Sequence, residues 1–223
     1  TDGANSIKEM AEEAKRLGLE YIAITDHTKR NAFVGGLDEK KIILQMKEIE
    51  KINKTIAGIR VLSGSEVDIL KNGKLDISDD VLENLDVVGV SVHSNFNLLK
   101  TEQTNRIIKA MENENVDILF HPTGRLIQER EPYDVDIEKI IQTAKDTGTI
   151  LEINAFPNRL DLKDEYIKLA VKAGVKLSID SDAHNRNHMQ FLEFGIAQAR
   201  RGWAEAKDVV NTRKLTEFLK ILK

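Results

Sequence analysis

Cysteine is absent from the 223 residues, proline occurs three times and aromatic residues make up only 5%. Without cysteine the chain has no disulfide framework, no thiolate zinc site and no cysteine nucleophile. This agrees with a reducing compartment, so a cytoplasmic location is expected. No Pro/Gly/Ser-rich stretch separates one part of the chain from another, and 1–223 reads as a single domain. The longest apolar runs, around Val87 to Val90, fall far short of the ~20 residues that cross a bilayer, and no signal-like segment opens the chain. Neither sign of charge dominates. With 33 Lys and Arg against 37 Asp and Glu the net charge is −4, which excludes a broad basic surface that would bind a phosphate backbone nonspecifically. A Gly-x-Ser-x-Gly elbow, a Walker loop and a Gly-x-Gly-x-x-Gly turn are all missing, so nucleophilic serine chemistry, phosphate-loop hydrolysis and dinucleotide binding have no support.

What is present is a rhythm. Short β-branched runs alternate with amphipathic segments of 10 to 15 residues, the pattern of a parallel sheet covered by helices. Ser6 and Glu9 form a capping box for a first helix that Gly18 closes. A buried strand is predicted at Tyr21 to Ile24 and a helix from Asp38 to Lys51. Strand Arg60 to Leu62 comes next, and then a hairpin around Asn72-Gly73. Further strands fall at Val87–Val92, Ile118–Phe120, Thr149–Ile153 and Lys176–Ile179. Helices fall at Thr101–Met111, Asp136–Thr147 and Lys163–Ala173, and the last forty residues look helical. That makes six parallel-type strands, preceded by a helix with no strand in front of it. A closed α/β barrel lacking its first strand fits this order better than an open sheet. The chain also begins at Thr1 without methionine and reads as a piece of something longer.

Four of the five histidines stand immediately after a predicted strand: His27, His93, His121 and His184. Asp26, Glu66 and Asp182 join them at the same strand ends, the rim where parallel α/β barrels carry their sites. Imidazole and carboxylate donors together suit zinc, manganese or iron, and they are too many for one tetrahedral ion, so two or three divalent ions are expected. Glu66, surrounded by imidazoles, is the type of group that bridges two metals. Arg125, Arg130 and Arg159 lie in loops after strands and could clamp phosphates. His188 is expected on a helix surface in solvent, Trp203 as a packing anchor, and Gly35-Gly36 as a flexible loop.

In order along the chain, Thr1-Asp2-Gly3, Thr25-Asp26-His27, Gly64-Ser65-Glu66, Ser91-Val92-His93, His121-Pro122 and Ser181-Asp182-Ala183-His184 resemble the motifs of the polymerase and histidinol phosphatase (PHP) domain. More narrowly, Ser94 to Asn97 after His93, His121-Pro122-Thr123-Gly124-Arg125, Glu152-Ile153-Asn154-Ala155 and Ala199 to Trp203 resemble the C-terminal domain of bacterial and archaeal family X DNA polymerases. The resemblance implies a distorted (β/α)7 TIM-like barrel with a trinuclear metal centre. It implies Asp2, His27 and His184 on one metal, and Glu66, His93 and His121 on a second. Glu66 also reaches a third metal beside Asp182. A His-x-His pair that family members carry upstream lies before the point where this sequence starts. Asp26 is implied to orient a neighbour, as an acceptor for an imidazole N–H.

The activity so implied is metal-dependent phosphoester hydrolysis, as a 3′→5′ exonuclease or end-processing domain acting on DNA, with a polymerase domain upstream in the same polypeptide. Glu66, Asp182 and Arg125 are the expected catalytic residues. Two other readings stay open: a small-molecule phosphatase of the histidinol phosphate type, and a non-catalytic scaffold stabilised by metals.

Overall fold

Helix α1 (Ile7–Arg16) starts where the sequence says it should. The Ser6 hydroxyl accepts the Glu9 N–H while Glu9 returns to the Ser6 N–H, and Met10, Ala11 and Ala14 form the buried stripe. The computed structural model describes residues 1–222. After α1 come β1 (Tyr21–Ile24), α2 (Glu39–Thr55), β2 (Arg60–Asp68), the short α3 (Asp79–Leu82), β3 (Val87–Ser91), α4 (Lys100–Met111) and β4 (Ile118–Leu119). The chain then continues through α5 (Ile137–Thr147), β5 (Ile150–Asn154), α6 (Asp164–Ala173), β6 (Leu177–Asp180), α7 (Leu192–Arg201) and α8 (Leu215–Phe218).

The six strands stand in one sheet in the order β1-β2-β3-β4-β5-β6, each pair parallel. A doubly wound sheet reverses direction at a switch point, and this one never does. It therefore curls as a barrel wall, with right-handed crossovers laying the helices on the outside. The main core packs the sheet against those helices through Val67, Val90, Leu119, Leu151, Ile107, Ile140 and Ile167. A smaller inner core of Leu62, Val87, Ile118, Ile150, Val210 and Phe218 fills the N-terminal end of the barrel, where the C-terminal segment acts as a plug. Tyr21 stacks on Phe218 at 5.0 Å.

Between β1 and β6 lies a cavity of about 620 Å³ that continues up to the histidines. Part of the β6 edge is covered: the Asn211 side chain accepts the Ile179 N–H and donates to the Ile179 carbonyl, in the manner of a neighbouring strand. Because its outer side faces this cavity, β1 is only half-buried, not the buried strand expected. Strand β2 runs six residues past Leu62. Its polar half, Ser63 to Asp68, is buried, with Gly64 to Asp68 paired to β3, so composition alone hid it.

Candidate metal centre

A parallel strand sends alternate side chains to one face, so residues at i and i+2 near a C-terminal end share the inside of the barrel rim. Glu66 and Asp68 on β2, Ser91 and His93 at the end of β3, and Glu152 and Asn154 on β5 all follow this spacing. Three imidazoles converge on the Glu66 carboxylate. Its Oε2 lies 3.4 Å from His27 Nδ1, and its Oε1 lies 3.2 Å from His93 Nε2 and 2.8 Å from His121 Nε2. The rings stand edge to face, His27 to His93 at 4.7 Å and His93 to His121 at 5.4 Å.

Asp2 approaches from the N-terminal segment, which is held by an Ala4 N–H to His184 carbonyl bond of 2.8 Å. Its Oδ2 lies 3.4 Å from His184 Nε2 and 4.0 Å from His27 Nε2. His184 Nδ1 is 2.8 Å from the Asp182 carbonyl, which can only accept, so Nδ1 carries a proton and Nε2 is the nitrogen that faces Asp2.

Two groups of donors have ligand atoms all within 4.8 Å of one another: Asp2, His27 and His184, and His27, Glu66 and His93. His121 adjoins the second through Glu66. The donor chemistry fits divalent cations. Buried His27 Nδ1 and His121 Nδ1 make no hydrogen bond, and the acids around them are poorly compensated. Burial, then Asp180 and Asp182, push Glu152 well above the usual carboxylate range, and burial together with Asp182 pushes Asp180 up to about 6. Glu66 is the exception. Burial opposes its charge, yet His93 and the hydrogen bond from His121 hold it well below the ordinary value.

Asp182 enters neither group of three. Its Oδ1 is 3.8 Å from His184 Nδ1, while Oδ2 accepts from Asn154 Nδ2 and Arg159 Nε, each at 3.1 Å. Asp26 does not accept from an imidazole. It takes hydrogen bonds from the Thr1 hydroxyl and, at 2.5 Å, from Gln45, which ties the N-terminal segment to α2.

The arginines divide differently from the sequence expectation. Arg125 spends its guanidinium on the carbonyls of Arg159 (2.8 Å) and Leu160, and so braces one loop against another instead of facing the histidines. Arg130 donates to the Gly124 carbonyl and lies 4.2 Å over the Phe96 ring. Arg159 is the one at the centre: it is paired with Asp182, its charge helps keep His121 neutral, and its Nη1 is buried without a partner.

His188 is not on a solvated helix face. It lies half-buried in a 3-10 turn (Arg186–Phe191), accepts the His184 N–H at 3.3 Å and stacks on Phe191 at 4.9 Å. Trp203 is 72% exposed beneath the Lys168 ammonium and anchors nothing. The loop bearing Gly35-Gly36 is pinned: the Leu37 N–H bonds to the His27 carbonyl, and a Cβ on Gly36 would stand 2.0 Å from the Thr28 carbonyl oxygen. Asp68 escaped the sequence reading. Its Oδ1 lies 3.5 Å from His93 Nδ1 and accepts the His93 backbone N–H at 3.3 Å, and the Glu66-x-Asp68 spacing on one strand was the available signal. Glu152, which accepts the His121 N–H, was missed in the same way.

The model of the PHP domain family matches residues 1–212. The DNA polymerase/3′-5′ exonuclease PolX of Bacillus subtilis (strain 168) is 44% identical over 223 residues, and the match takes in all of this chain but only 39% of that protein. A probable phosphatase of Thermoanaerobacter sp. (strain X514) is 30% identical over 228 residues, covering 97% of this chain and 88% of the relative. Among solved structures, the histidinol phosphate phosphatase of Lactococcus lactis complexed with zinc, L-histidinol and phosphate superposes with a TM-score of 0.61 over 92% of this chain and 90% of that one. At 14% identity that likeness speaks for the TIM-like fold alone.

Proposed function

The chain belongs to the PHP domain family, and on that footing we propose that residues 1–223 form one domain that hydrolyses phosphodiesters at the 3′ ends of DNA. As a PHP domain it is a metal-dependent phosphoesterase. The finer reading, a 3′→5′ exonuclease attached to an upstream polymerase domain, is supported by the 44% identity along the whole chain to a polymerase/exonuclease more than twice its length, and the absence of cysteine agrees with a cytoplasmic place for it. Among the described residues no helix is long and apolar enough to cross a membrane.

Asp2, His27 and His184 would hold one ion and Glu66, His93 and His121 another, with Glu66 offering one oxygen to each side and Asp182 standing beside His184. Bound manganese or zinc would supply positive charge against a phosphate and lower the pKa of water. The protein's own residues do the rest. Glu66, its charge held by His93 and His121, keeps the donors on the β1 to β4 strand ends gathered at one point. Asn154 and Arg159 fix the rotamer of Asp182. Arg159, with a buried unpartnered Nη1, is set to donate to a non-bridging phosphate oxygen. That free donor is the observation that carries the reading, because a buried guanidinium N–H without a partner beside a cluster of metal-type donors calls for an anion.

A second reading has its own support. The probable phosphatase is matched along 88% of its length, so a domain of this size suffices for a separate phosphatase. The deciding experiment incubates manganese- or zinc-loaded protein with a 5′-labelled oligonucleotide and, separately, with histidinol phosphate. Stepwise shortening of the oligonucleotide supports the exonuclease, turnover of the small ester alone replaces it with the phosphatase, and full metal occupancy without turnover of either leaves a scaffold.

A further inference from the structure

Five of the seven phenylalanines, Phe33, Phe96, Phe156, Phe191 and Phe194, lie on segments that follow the C-terminal strand ends, in a chain poor in aromatics. Three of them form a ladder that begins at His184. The Phe156 ring stands edge-on to His184 at 6.0 Å and to Phe191 at 5.3 Å, His188 stacks on Phe191, and Phe194 continues the row 6.0 Å beyond Phe191.

Packing does not account for the outer end of this row. Helix α7 turns Gly195, Gln198 and Ala199 inward, and Gly195 sits against Ala155 and Ile179 with no room for a Cβ. Phe194 is left off that face and is 48% exposed. A contiguous aromatic surface beside a polar site marks a place where something docks.

Its chemistry follows from its neighbour. Phe156 and Arg159 belong to one tight turn after β5, closed by the Arg159 N–H on the Phe156 carbonyl at 2.8 Å. The same Asn154 side chain accepts the Phe156 N–H at 3.0 Å and donates to Asp182. A phosphate on Arg159 and a flat ring on the ladder are thus held in fixed relation by one short, internally bonded segment. Alternating cationic and aromatic groups along a groove is how proteins hold single-stranded nucleic acid, phosphate by charge and base by stacking.

We propose that the ladder of Phe156, His188, Phe191 and Phe194 is a subsite for the nucleobase of the terminal nucleotide, whose phosphate lies at Arg159. The inference rests on the DNA reading of the centre and adds what selects a nucleotide over a bare phosphoester. Phe194 is the residue to change, since it is exposed and ends the row that begins at His184.

The test uses manganese-loaded protein and two oligonucleotides that differ only at the 3′ terminus, one ending in a normal nucleotide and the other in an abasic tetrahydrofuran residue. KM and kcat for release of the terminal unit are measured for the wild type, Phe194→Ala and Phe194→Trp, and fluorescence anisotropy gives Kd for the same pairs. Stacking predicts a wild-type preference for the base-bearing end of roughly ten- to a hundred-fold in KM and Kd. In Phe194→Ala the preference falls to within about three-fold, and Phe194→Trp retains it. An unchanged preference in Phe194→Ala, or none in the wild type, overturns the subsite. Equal hydrolysis of both ends overturns it while leaving the nuclease reading intact. Base-dependent binding lost in Phe194→Ala but without hydrolysis keeps the subsite and removes the nuclease.

Discussion

His93 is held between two carboxylates, Glu66 Oε1 at 3.2 Å from Nε2 and Asp68 Oδ1 at 3.5 Å from Nδ1, while His121, against the same Glu66 oxygen, makes no hydrogen bond at its Nδ1. The two rings answer differently. Burial disfavours the charged form of both, but the charge of Glu66 and the hydrogen bond to Asp68 raise His93 to about 9, whereas burial and Arg159 keep His121 below its ordinary value. Without metal, His93 favours the protonated ring and His121 the neutral one.

This gives opposite pH dependences. The folded, metal-free protein binds a proton at His93 that the unfolded chain releases near 6.5, so its stability contribution is complete below about 6.5 and lost as pH rises to about 9. Metal needs the neutral ring, so affinity rises over the same window. Melting of chelated protein and titration with zinc, each at pH 6.5 and 9, should show the two trends crossing. His93→Gln flattens both, and parallel trends would refute the assignment.

Replacing Glu66 by Gln keeps the shape and removes the charge facing three imidazoles. Metal affinity should fall by roughly 10²-fold or more, and phosphoesterase activity with it, whereas Glu50→Gln on the exposed face of α2 changes neither. Elemental analysis after dialysis, compared with about two ions per wild-type chain, measures the difference.

Arg159 and Arg125 should separate cleanly. Arg159→Gln is expected to lower kcat/KM by about 10²-fold with little change in Tm, because one charged contact to a phosphate is lost. Arg125→Gln should cost about 1.5–3 kcal/mol of stability, since it removes charge-assisted bonds to two loop carbonyls, and leave the folded fraction active. Thermal melts beside initial rates distinguish the pair, and a reversed pattern returns Arg125 to the site.

Removal of metal should be felt by the whole fold. Ions that bind only the folded chain stabilise it by about 4 kcal/mol at a thousand times Kd, which for this size shifts Tm by roughly 10 °C. Calorimetry with and without chelator checks this, and re-addition of manganese or zinc should restore the higher transition.

Gly36→Ala places a methyl group against backbone that cannot yield easily, 2.0 Å from the Thr28 carbonyl oxygen. A loss of about 1–3 kcal/mol is expected, with weaker metal binding because His27 begins the same loop. Urea unfolding and zinc titration measure the two effects.

Most of the frame could be read from residue order. Strand-end histidines are visible because β-branched runs point to them, and α1 is visible because a capping box is a local signal. Asp68 was lost because β2 continues through polar residues, and burial of a fully hydrogen-bonded polar strand leaves no hydrophobic pattern. The role of Arg125 depends on carbonyls 34 and 35 positions away, which no local spacing encodes. His188 and Trp203 went wrong for one shared reason: an aromatic residue's burial is decided by which turn of chain lies over it, and both sit beside irregular segments of the last forty residues.

The stack of Tyr21 on Phe218 sets an order of events. Each strand pairs with the one before it, so the wall can lengthen step by step as residues are synthesised, each addition closing a loop of modest length. The contact between β1 and α8 needs all the described elements that lie between them. It works as a clasp fastened at the end, and until then the inner core of the barrel stays open to water at the pole opposite the histidines. A nascent chain stalled before Val210 should therefore display that apolar lining to chaperones, although every histidine and acid of the metal centre has already been made.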